Sequence, residues 1–515
     1  PTKLLVDCGM EQGNDVYENQ ELPIAASDVD CILLTHAHID HSGLIPLMYV
    51  NGFRGQVYST SATAQLCEIM LRDSAHIQMF EAEWRNRKAA RSGGKLKEFV
   101  PLYDMDAAVN VCKQFVGCEY DRVYDIAEGI KIRFTDVGHL LGSASIEVWA
   151  TEKTENGDVT EKIVFSGDIG NINKPIIKDP KHVRDADYVV MESTYGNRSH
   201  GGTPNYVEDL TDIFKRTFER GGNVVIPSFA VGRTQELLYI IRKIKEDNLV
   251  GRDFDVYMDS PLAIEATNIF IKNVESCFDD EAVELVRKGI NPLSFPGLKY
   301  ATTGDESKQI NFDPNPKVII SSSGMCEAGR IRHHLKHNLW RPECTIVFVG
   351  YQAVGTTGRI IVDGAEEIKL FGEPIQIKAE IVQLKGSSGH ADKDGLLCWI
   401  NAFDTKPKKV FVVHGEDSVC DEFTECLKEE YGYDAMAPYT GGSYDLIADR
   451  VISEGVKERK TRRTTSTQRG KTVFDRLVAA GKRLMTVITH NEGGTNKDLA
   501  KFTDQINALC DKWDR

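Results

Sequence analysis

The spacing of apolar residues divides the chain into stretches of different rhythm. Up to about residue 200, short apolar runs bounded by Gly, Asp or Asn recur at Thr2–Val6, Cys31–Thr35, Lys131–Thr135, Ile146–Ala150, Ile163–Ser166 and Tyr188–Met191. Runs of this length, rich in Val, Ile and Leu, read as buried strands. Helical spacing covers Ala62 to about Arg87 and Met105 to Phe115, and the polar stretch Glu152–Glu161 around Asn156-Gly157 predicts a hairpin turn. From about Gly201, strand and helix alternate. Asn223–Pro227, Phe254–Met258, Val318–Ser321 and Thr345–Gly350 are strands, and Thr234–Lys245 is an amphipathic helix. That alternation predicts a parallel α/β sheet. Two further strands, Glu380–Leu384 and Lys409–His414, flank a helix near Lys393–Phe403. Beyond Arg450 the chain turns basic and Thr/Ser-rich, then ends in a helical stretch.

Composition narrows the class. At 515 residues, with 41% apolar and 27% charged, the chain reads as a globular protein of two to four units. No window reaches the 18 or so consecutive apolar residues of a membrane span, so no membrane association is expected. No basic-then-apolar leader precedes Lys3-Leu4-Leu5-Val6, and residue 1 is Pro, so the true N-terminus is expected to be missing. Twelve cysteines occur with no Cys-x-x-Cys, which points to a reducing, cytoplasmic setting. A net charge of −15 argues against generic adhesion to nucleic acid or anionic membrane. Screening within about 10 Å leaves local charge to decide. Two basic runs, Arg85 to Lys97 and Lys457 to Lys471, read as solvated helix faces or tails.

The densest chemistry is Thr35-His36-Ala37-His38-Ile39-Asp40-His41-Ser42-Gly43, directly after a strand. Three imidazoles and a carboxylate this close cannot all be satisfied core residues. His36 and His38 point one way along an extended loop, and Asp40 and His41 project to a second point, which supplies two metal sites. Histidine and carboxylate without thiolate suit zinc, with manganese or iron as alternatives. His139 in Gly138-His139-Leu140 and Asp168 in Ser166-Gly167-Asp168 end later strands and supply further ligands, Asp168 as a bridge between cations.

The His-x-His-x-Asp-His loop, the later Gly-His and the Ser-Gly-Asp resemble the metallo-β-lactamase fold, and Val6-Asp7-Cys8-Gly9 resembles that fold's first motif. The chain also looks like the β-CASP branch of nucleases, through Glu192 in Met191-Glu192-Ser193-Thr194, His390 in Ser388-Gly389-His390-Ala391-Asp392 and His414 in Val413-His414-Gly415. The resemblance spans roughly residues 2–450. It implies an αββα metallo-β-lactamase sandwich over 1–200 and 380–454, interrupted by a parallel α/β β-CASP domain over 201–379. Residues 455–470 then read as a linker and 471–515 as a helical appendage.

The resemblance also implies roles. One Zn2+ is held by His36, His38 and His139, a second by Asp40, His41 and His414, with Asp168 bridging, and Mn2+ is an alternative metal. Two such cations lower the pKa of a shared water and neutralise phosphate charge. Asp7 orients the centre from behind, and His390 protonates the leaving ribose oxygen while Glu192 holds its tautomer. A histidine at position 414 is typical of RNA-cleaving members, so the expected substrate is single-stranded RNA. In the insert, Ser321, Ser322, Ser323 and Gly324 are expected to cradle a phosphate, and Arg233 and Arg330 to contact the RNA backbone. His333, His334 and His337 lie outside the ligand set. No phosphate-loop motif is present, so no nucleotide cofactor is expected. The sequence is compatible with a homodimer. Rival readings are a small-molecule thioesterase or lactonase on the same fold, and a non-catalytic scaffold subunit.

Overall fold

The computed structural model describes residues 2–11, 24–91, 99–155, 157–201, 205–384, 388–457 and 477–513, the last stretch without 479, 482, 483, 486 and 494. Strands β1 (Leu4–Val6), β2 (Cys31–Leu33), β3 (Gln56–Thr60) and β4 (Phe115–Cys118) form a parallel sheet in chain order. The helix Ser61–Arg91 packs on this sheet, a run of 31 residues without Gly or Pro that buries Leu66, Cys67, Ile69 and Leu71. The strand expected to reach Thr35 stops at Leu33, because the Thr35 amide turns to the Asp7 carboxylate. Likewise the helix expected to reach Phe115 ends at Cys112, and Phe115 opens β4 against β3.

A second, mixed sheet follows. Strands β5 (Val123–Ala127), β6 (Ile130–Asp136), β7 (Ala144–Thr154) and β8 (Gly157–Phe165) run antiparallel, and β9 (Tyr188–Glu192) joins β8 in parallel. Alternation along β6 turns Ile132 and Phe134 inward, where they meet Leu33, Cys118, Ala144, Ile146 and Val148 between the two sheets. The β7–β8 ladder closes at Thr154 and Gly157 as the expected hairpin, although Asn156 lies outside the described residues.

The insert contains β10 (Val224–Pro227), β11 (Asp255–Asp259), β12 (Leu298–Tyr300), β13 (Lys317–Ser321), β14 (Thr345–Phe348), the hairpin β15 (Glu367–Leu370) and β16 (Glu373–Gln376), and β17 (Glu380–Gln383). Its parallel sheet has the order β12-β11-β13-β10-β14-β17. Strands β10, β13 and β14 are buried at every position, as expected of a parallel sheet covered on both faces. Alternate residues serve the two faces: Val318 and Ile320 one core, Ile319 the other. One boundary is corrected. A division at 379/380 gives Glu380–Gln383 to the first domain, but all four residues pair with β14, so hydrogen bonding makes β17 an edge of the insert's sheet.

The chain then returns to the second sheet. Strand β18 (Lys409–Val413) pairs with β9, and β19 (Ala435–Met436) pairs with β18. Helices Lys393–Ile400 and Asp417–Glu429 bury Leu396, Trp399, Phe423 and Leu427 against Val189, Met191, Val410 and Val412, which completes the αββα layering. Strand β18 enters between the edge strand β19 and β9, so a segment more than 200 residues downstream completes the first domain. Beyond a hairpin at Ser443–Ser453, the expected linker and basic run from 458 to 471 lie outside the described residues. In the other basic run, Arg85 and Arg87 pair with Glu81 and Glu83 on an exposed helix face, and 92–98 lie outside the description. Among the described residues no helix is long and apolar enough to cross a membrane, and no cysteine is disulfide-bonded.

Candidate metal centre

The His-rich loop leaves β2 and becomes a single helical turn, Ile39–Ser42, so His36 and His38 precede the turn while Asp40 and His41 ride on it. Its position is fixed by the end of β1. The Cys8 amide donates to the His41 carbonyl and Met10 to Ile39. Only Gly fits at position 9, where a Cβ would lie 1.4 Å from the Asp40 carbonyl oxygen.

Two donor groups result. In the first, His36 Nε2 lies 3.0 Å from His38 Nδ1 and 3.4 Å from Asp168 Oδ2. His139 Nε2 lies 3.2 Å from His38 Nδ1 and 3.6 Å from Asp168 Oδ2. A tetrahedral cation with about 2.0–2.1 Å bonds has donor–donor edges of about 3.3–3.4 Å, so this spacing fits a metal. In the second group, His41 Nε2 lies 3.0 Å from His414 Nε2 and 3.3 Å from Asp168 Oδ1, and Asp40 Oδ2 lies 3.7 Å from His414 Nε2. Asp168 faces both groups, and its buried Oδ1 has no hydrogen-bond partner among the described residues. A buried carboxylate oxygen in that state calls for a cation. Family and donor chemistry agree that the centre uses divalent metal.

The surroundings prepare the ligands. The His139 Nδ1–H donates to the Gly389 carbonyl at 3.1 Å, which turns Nε2 inward as a lone pair. Asp7 accepts from His41 Nδ1 at 2.7 Å and from the Thr35 hydroxyl at 2.8 Å, and Thr35 in turn lies 3.1 Å from His36 Nδ1. Thr194 sits 3.2 Å from His414 Nδ1. His414 itself has φ 50° at the end of β18, a left-handed backbone that turns its ring back toward β9.

Charge separates the groups. Burial, and then the neighbouring His41, lowers the pKa of His36; burial pushes His38 down to about 3 and holds His139 well below its ordinary value. Burial also opposes the charge of His41 and of the more open His414, yet the Asp168 carboxylate, with Asp7 for the first and Asp40 for the second, outweighs it. His41 stands well above its ordinary value and His414 rises to about 9. Against the same desolvation, hydrogen bonding to His414 lowers Asp40, and the surrounding imidazoles lower Asp168.

His390 stands beside the first group, its ring 4.4 Å from that of His139 and 22% exposed. Its Nδ1 lies 3.3 Å from Glu192 Oε2 and 3.9 Å from Asp168 Oδ2. Burial would lower its pKa, but these two carboxylates raise it. Glu192 is held by the Ile169 and Thr194 amides. Gly170 permits the close approach: a Cβ there would sit 2.0 Å from the Gly138 carbonyl oxygen.

The insert touches this centre through a residue that pattern reading missed. Lys174 Nζ donates to the His139 carbonyl at 2.8 Å and lies 3.4 Å from Glu236 of the insert, which also pairs with Arg233 at 2.6 Å. A cleft of about 660 Å³ opens here, lined by Asn171, Lys174, His200, Arg233, Glu236 and Ser388. Arg233 therefore reaches the cleft, already ion-paired. No sequence motif marks Lys174 or His200, whose Nε2 lies 3.2 Å from the His390 carbonyl, because both act only through the fold.

The expected phosphate cradle is occupied by the protein itself. The Ser321 hydroxyl is buried and donates to the Asp259 carbonyl, Ser322 donates to Ser260, and Ser323 to Ala328. Gly324 packs against the Phe229 ring. Arg330 binds Asp259 Oδ1 at 2.7 Å and the carbonyls of Ala301 and Thr302. His334, at 2.6 Å from Asp259 Oδ2, belongs to the same buried cluster, while His333 stacks on Phe371.

Comparison with known proteins gives the same architecture. Residues 1–171 match a metallo-beta-lactamase superfamily domain, 234–361 the Beta-Casp domain, and 374–438 the Zn-dependent metallo-hydrolase RNA specificity domain. The chain is 34% identical over 416 residues to ribonuclease TTHA0252 of Thermus thermophilus, covering 81% of this chain and 88% of that protein. It is 32% identical over 452 residues to the transcription termination factor FttA of Methanosarcina mazei, covering 85% and 67%. It is 31% identical over 419 residues to an RNase J-like protein of Methanocaldococcus jannaschii, covering 80% and 87%. Together with the two-sheet sandwich and the inserted parallel sheet, these matches establish that the chain belongs to the β-CASP family of metallo-β-lactamase-fold proteins.

Proposed function

We propose that this protein is a ribonuclease that hydrolyses phosphodiester bonds of single-stranded RNA with two zinc ions, in the cytoplasm. His36, His38 and His139 would hold one ion and Asp40, His41 and His414 the other, with Asp168 facing both groups. When bound, the ions supply an activated water and neutralise charge on the phosphate. The chain's own residues do the rest. Asp7 fixes His41 through Nδ1 and, through Thr35, the ring of His36, so the donors converge before the metal arrives. His390 delivers the proton to the departing ribose oxygen. With Nδ1 directed at Glu192, Nε2 is the donating nitrogen, and the carboxylates of Glu192 and Asp168 favour the protonated imidazole by raising its pKa.

The observation that carries this reading is the His390–Glu192 pair set against the three-histidine group: an imidazole backed by a carboxylate, placed as a proton donor next to the candidate metal centre. The relatives named ribonuclease and RNase J-like protein support the same substrate. Cleavage of end-labelled RNA and DNA of one sequence, with zinc and with a chelator, tests it. Chelator-sensitive cutting of RNA alone is the expected result. Intact RNA from protein carrying two zinc ions per chain would overturn the nuclease reading in favour of a small-molecule hydrolase.

A further inference from the structure

The carboxyl ends of the insert's strands meet the loop that carries His139. Strands β10 and β13 lie side by side, and the helix after each departs to a different face of the sheet. Arg233–Glu246 packs with Val224 and Ile226, whereas Ile331–Asn338 packs with Val225 and Ile319. Such a switch point opens a crevice beyond the strand ends, which is where open α/β sheets take their ligands. The turn leaving β10 reaches the other domain. At Gly232, with φ 82°, a Cβ would lie 3.1 Å from Leu140 Cδ1, and Leu140 adjoins His139. The turns after β13 and β14 are tied to each other beside it. Gln352 Nε2 donates to the Gly324 carbonyl at 3.1 Å, and the Gly358 amide to the Met325 carbonyl at 3.0 Å.

Three apolar side chains stand exposed on this rim: Phe229 at 46%, Tyr351 at 53% and Val354 at 56%. The strands beneath them are buried at every position, so the exposure is confined to the strand ends. Phe229 is held in advance of any ligand. Its carbonyl accepts from the Thr234 hydroxyl at 2.7 Å, the Ser228 hydroxyl at 3.2 Å and the Thr234 amide at 3.3 Å. Its ring lies against Gly324, where a Cβ would come within 3.2 Å of two ring carbons. A ring fixed in this way loses little conformational entropy on binding. An RNA strand that sets a phosphate at the metal centre carries its flanking bases off the backbone. Unpaired bases offer π-faces that bases in a duplex have already given to their neighbours.

We propose that Phe229 and Tyr351 are the rings on which unpaired bases beside the scissile phosphate stack, and that this stacking selects single-stranded RNA of any sequence. The proposal rests on the ribonuclease reading of the metal centre. Its test uses the full-length, metal-loaded protein. Phe229→Ala and Tyr351→Ala should each lower kcat/KM on single-stranded RNA about 5–150-fold, mainly through KM, with metal content unchanged. Phe229→Tyr and Tyr351→Phe should restore the parent's rate, whereas Phe229→Leu, apolar but without a π-face, should not. A single abasic ribose walked along the strand separates stacking from packing. At the position that meets Phe229, the abasic substrate and Phe229→Ala should cost no more together than either does alone. Additive losses at every position would overturn the proposal, as would full activity of Phe229→Leu. A parent that cuts RNA beside equally active alanine variants would overturn this assignment and leave the ribonuclease reading standing. A parent that leaves RNA intact would overturn both.

Discussion

Two buried clusters of histidine and aspartate face each other in interest, and they behave differently. At the metal centre, imidazole nitrogens approach one another to 3.0–3.2 Å and stand 3.3–3.6 Å from a carboxylate whose Oδ1 has no hydrogen-bond partner among the described residues. In the insert, Asp259 is just as enclosed, yet its two oxygens accept from Arg330 at 2.7 Å, His334 at 2.6 Å and Ser307 at 2.5 Å. Burial raises the Asp259 pKa, and those three bonds bring it below its ordinary value. The difference teaches how to separate a site from a strut. A buried charge network with every group paired is already complete, whereas a convergent set of donors with an orphaned acceptor needs something from outside.

The sharpest break of that comparison removes the carboxylate in both places. Asp168→Asn should drive cleavage to background and lower the bound metal measured by atomic absorption, while the folded chain keeps its circular dichroism. Asp259→Ala should do the reverse. It strands the Arg330 guanidinium without a counter-charge and leaves His334 and Ser307 without their acceptor, so urea unfolding should show a loss of about 3–5 kcal/mol with metal content unchanged. Between the two lies His390→Ala, which removes a proton donor but no donor to metal. It should retain both metal ions and lose about 10²–10⁴-fold in cleavage rate under single-turnover conditions. Loss of metal in that variant would move His390 into the ligand set.

The comparison also explains what pattern could read. His36, His38, Asp40 and His41 were legible because four polar groups on one loop cannot share one core, and strand runs such as β6 and β13 because their apolar content fits only a sheet. The internal partners of Ser321 and Arg330 were not legible because serine, glycine and arginine after a strand look alike whether they meet a phosphate or an aspartate 62 or 71 residues away. Only the three-dimensional neighbour decides. The β17 boundary failed for the same reason, since a strand as short as Glu380–Gln383 carries no mark of the sheet it will join.

A smaller effect tests whether the insert acts on the centre. Lys174→Met removes the donor to the His139 carbonyl and the charge facing Glu236. Groups that orient a ligand from behind typically contribute about 10–100-fold in metal affinity. Chelator competition should therefore show weaker binding of one ion, toward the lower end of that range because Gly389 still fixes the ring. Unchanged affinity with a raised KM for RNA would instead place Lys174 in the cleft's contact with substrate.

The last and smallest effect sits at the end of β6, where Asp136 belongs to neither kind of cluster. Burial raises its pKa to about 7, against the Gly138 amide, which donates at 3.0 Å, and the charges of Lys178 and Lys181; Asp121 adds to the rise. Tyr120 and Cys277 close the site and are themselves shifted upward by burial. The sign follows from the proton count. Between the unfolded carboxyl's ordinary value near 3.9 and the folded value, the native state holds a proton that the unfolded state has lost. Stability from this group is therefore greatest at acid pH and falls as pH rises toward 7, by at most about 1.4 kcal/mol per pH unit. Asp136→Asn keeps an acceptor for Gly138 and removes the titration. The difference between the variant and the parent in urea unfolding should be near zero at pH 4 and should grow in the variant's favour up to pH 8. A flat difference would show that Lys178 and Lys181 hold the carboxylate ionised throughout, and Asp136 would join Asp259 among the paired charges.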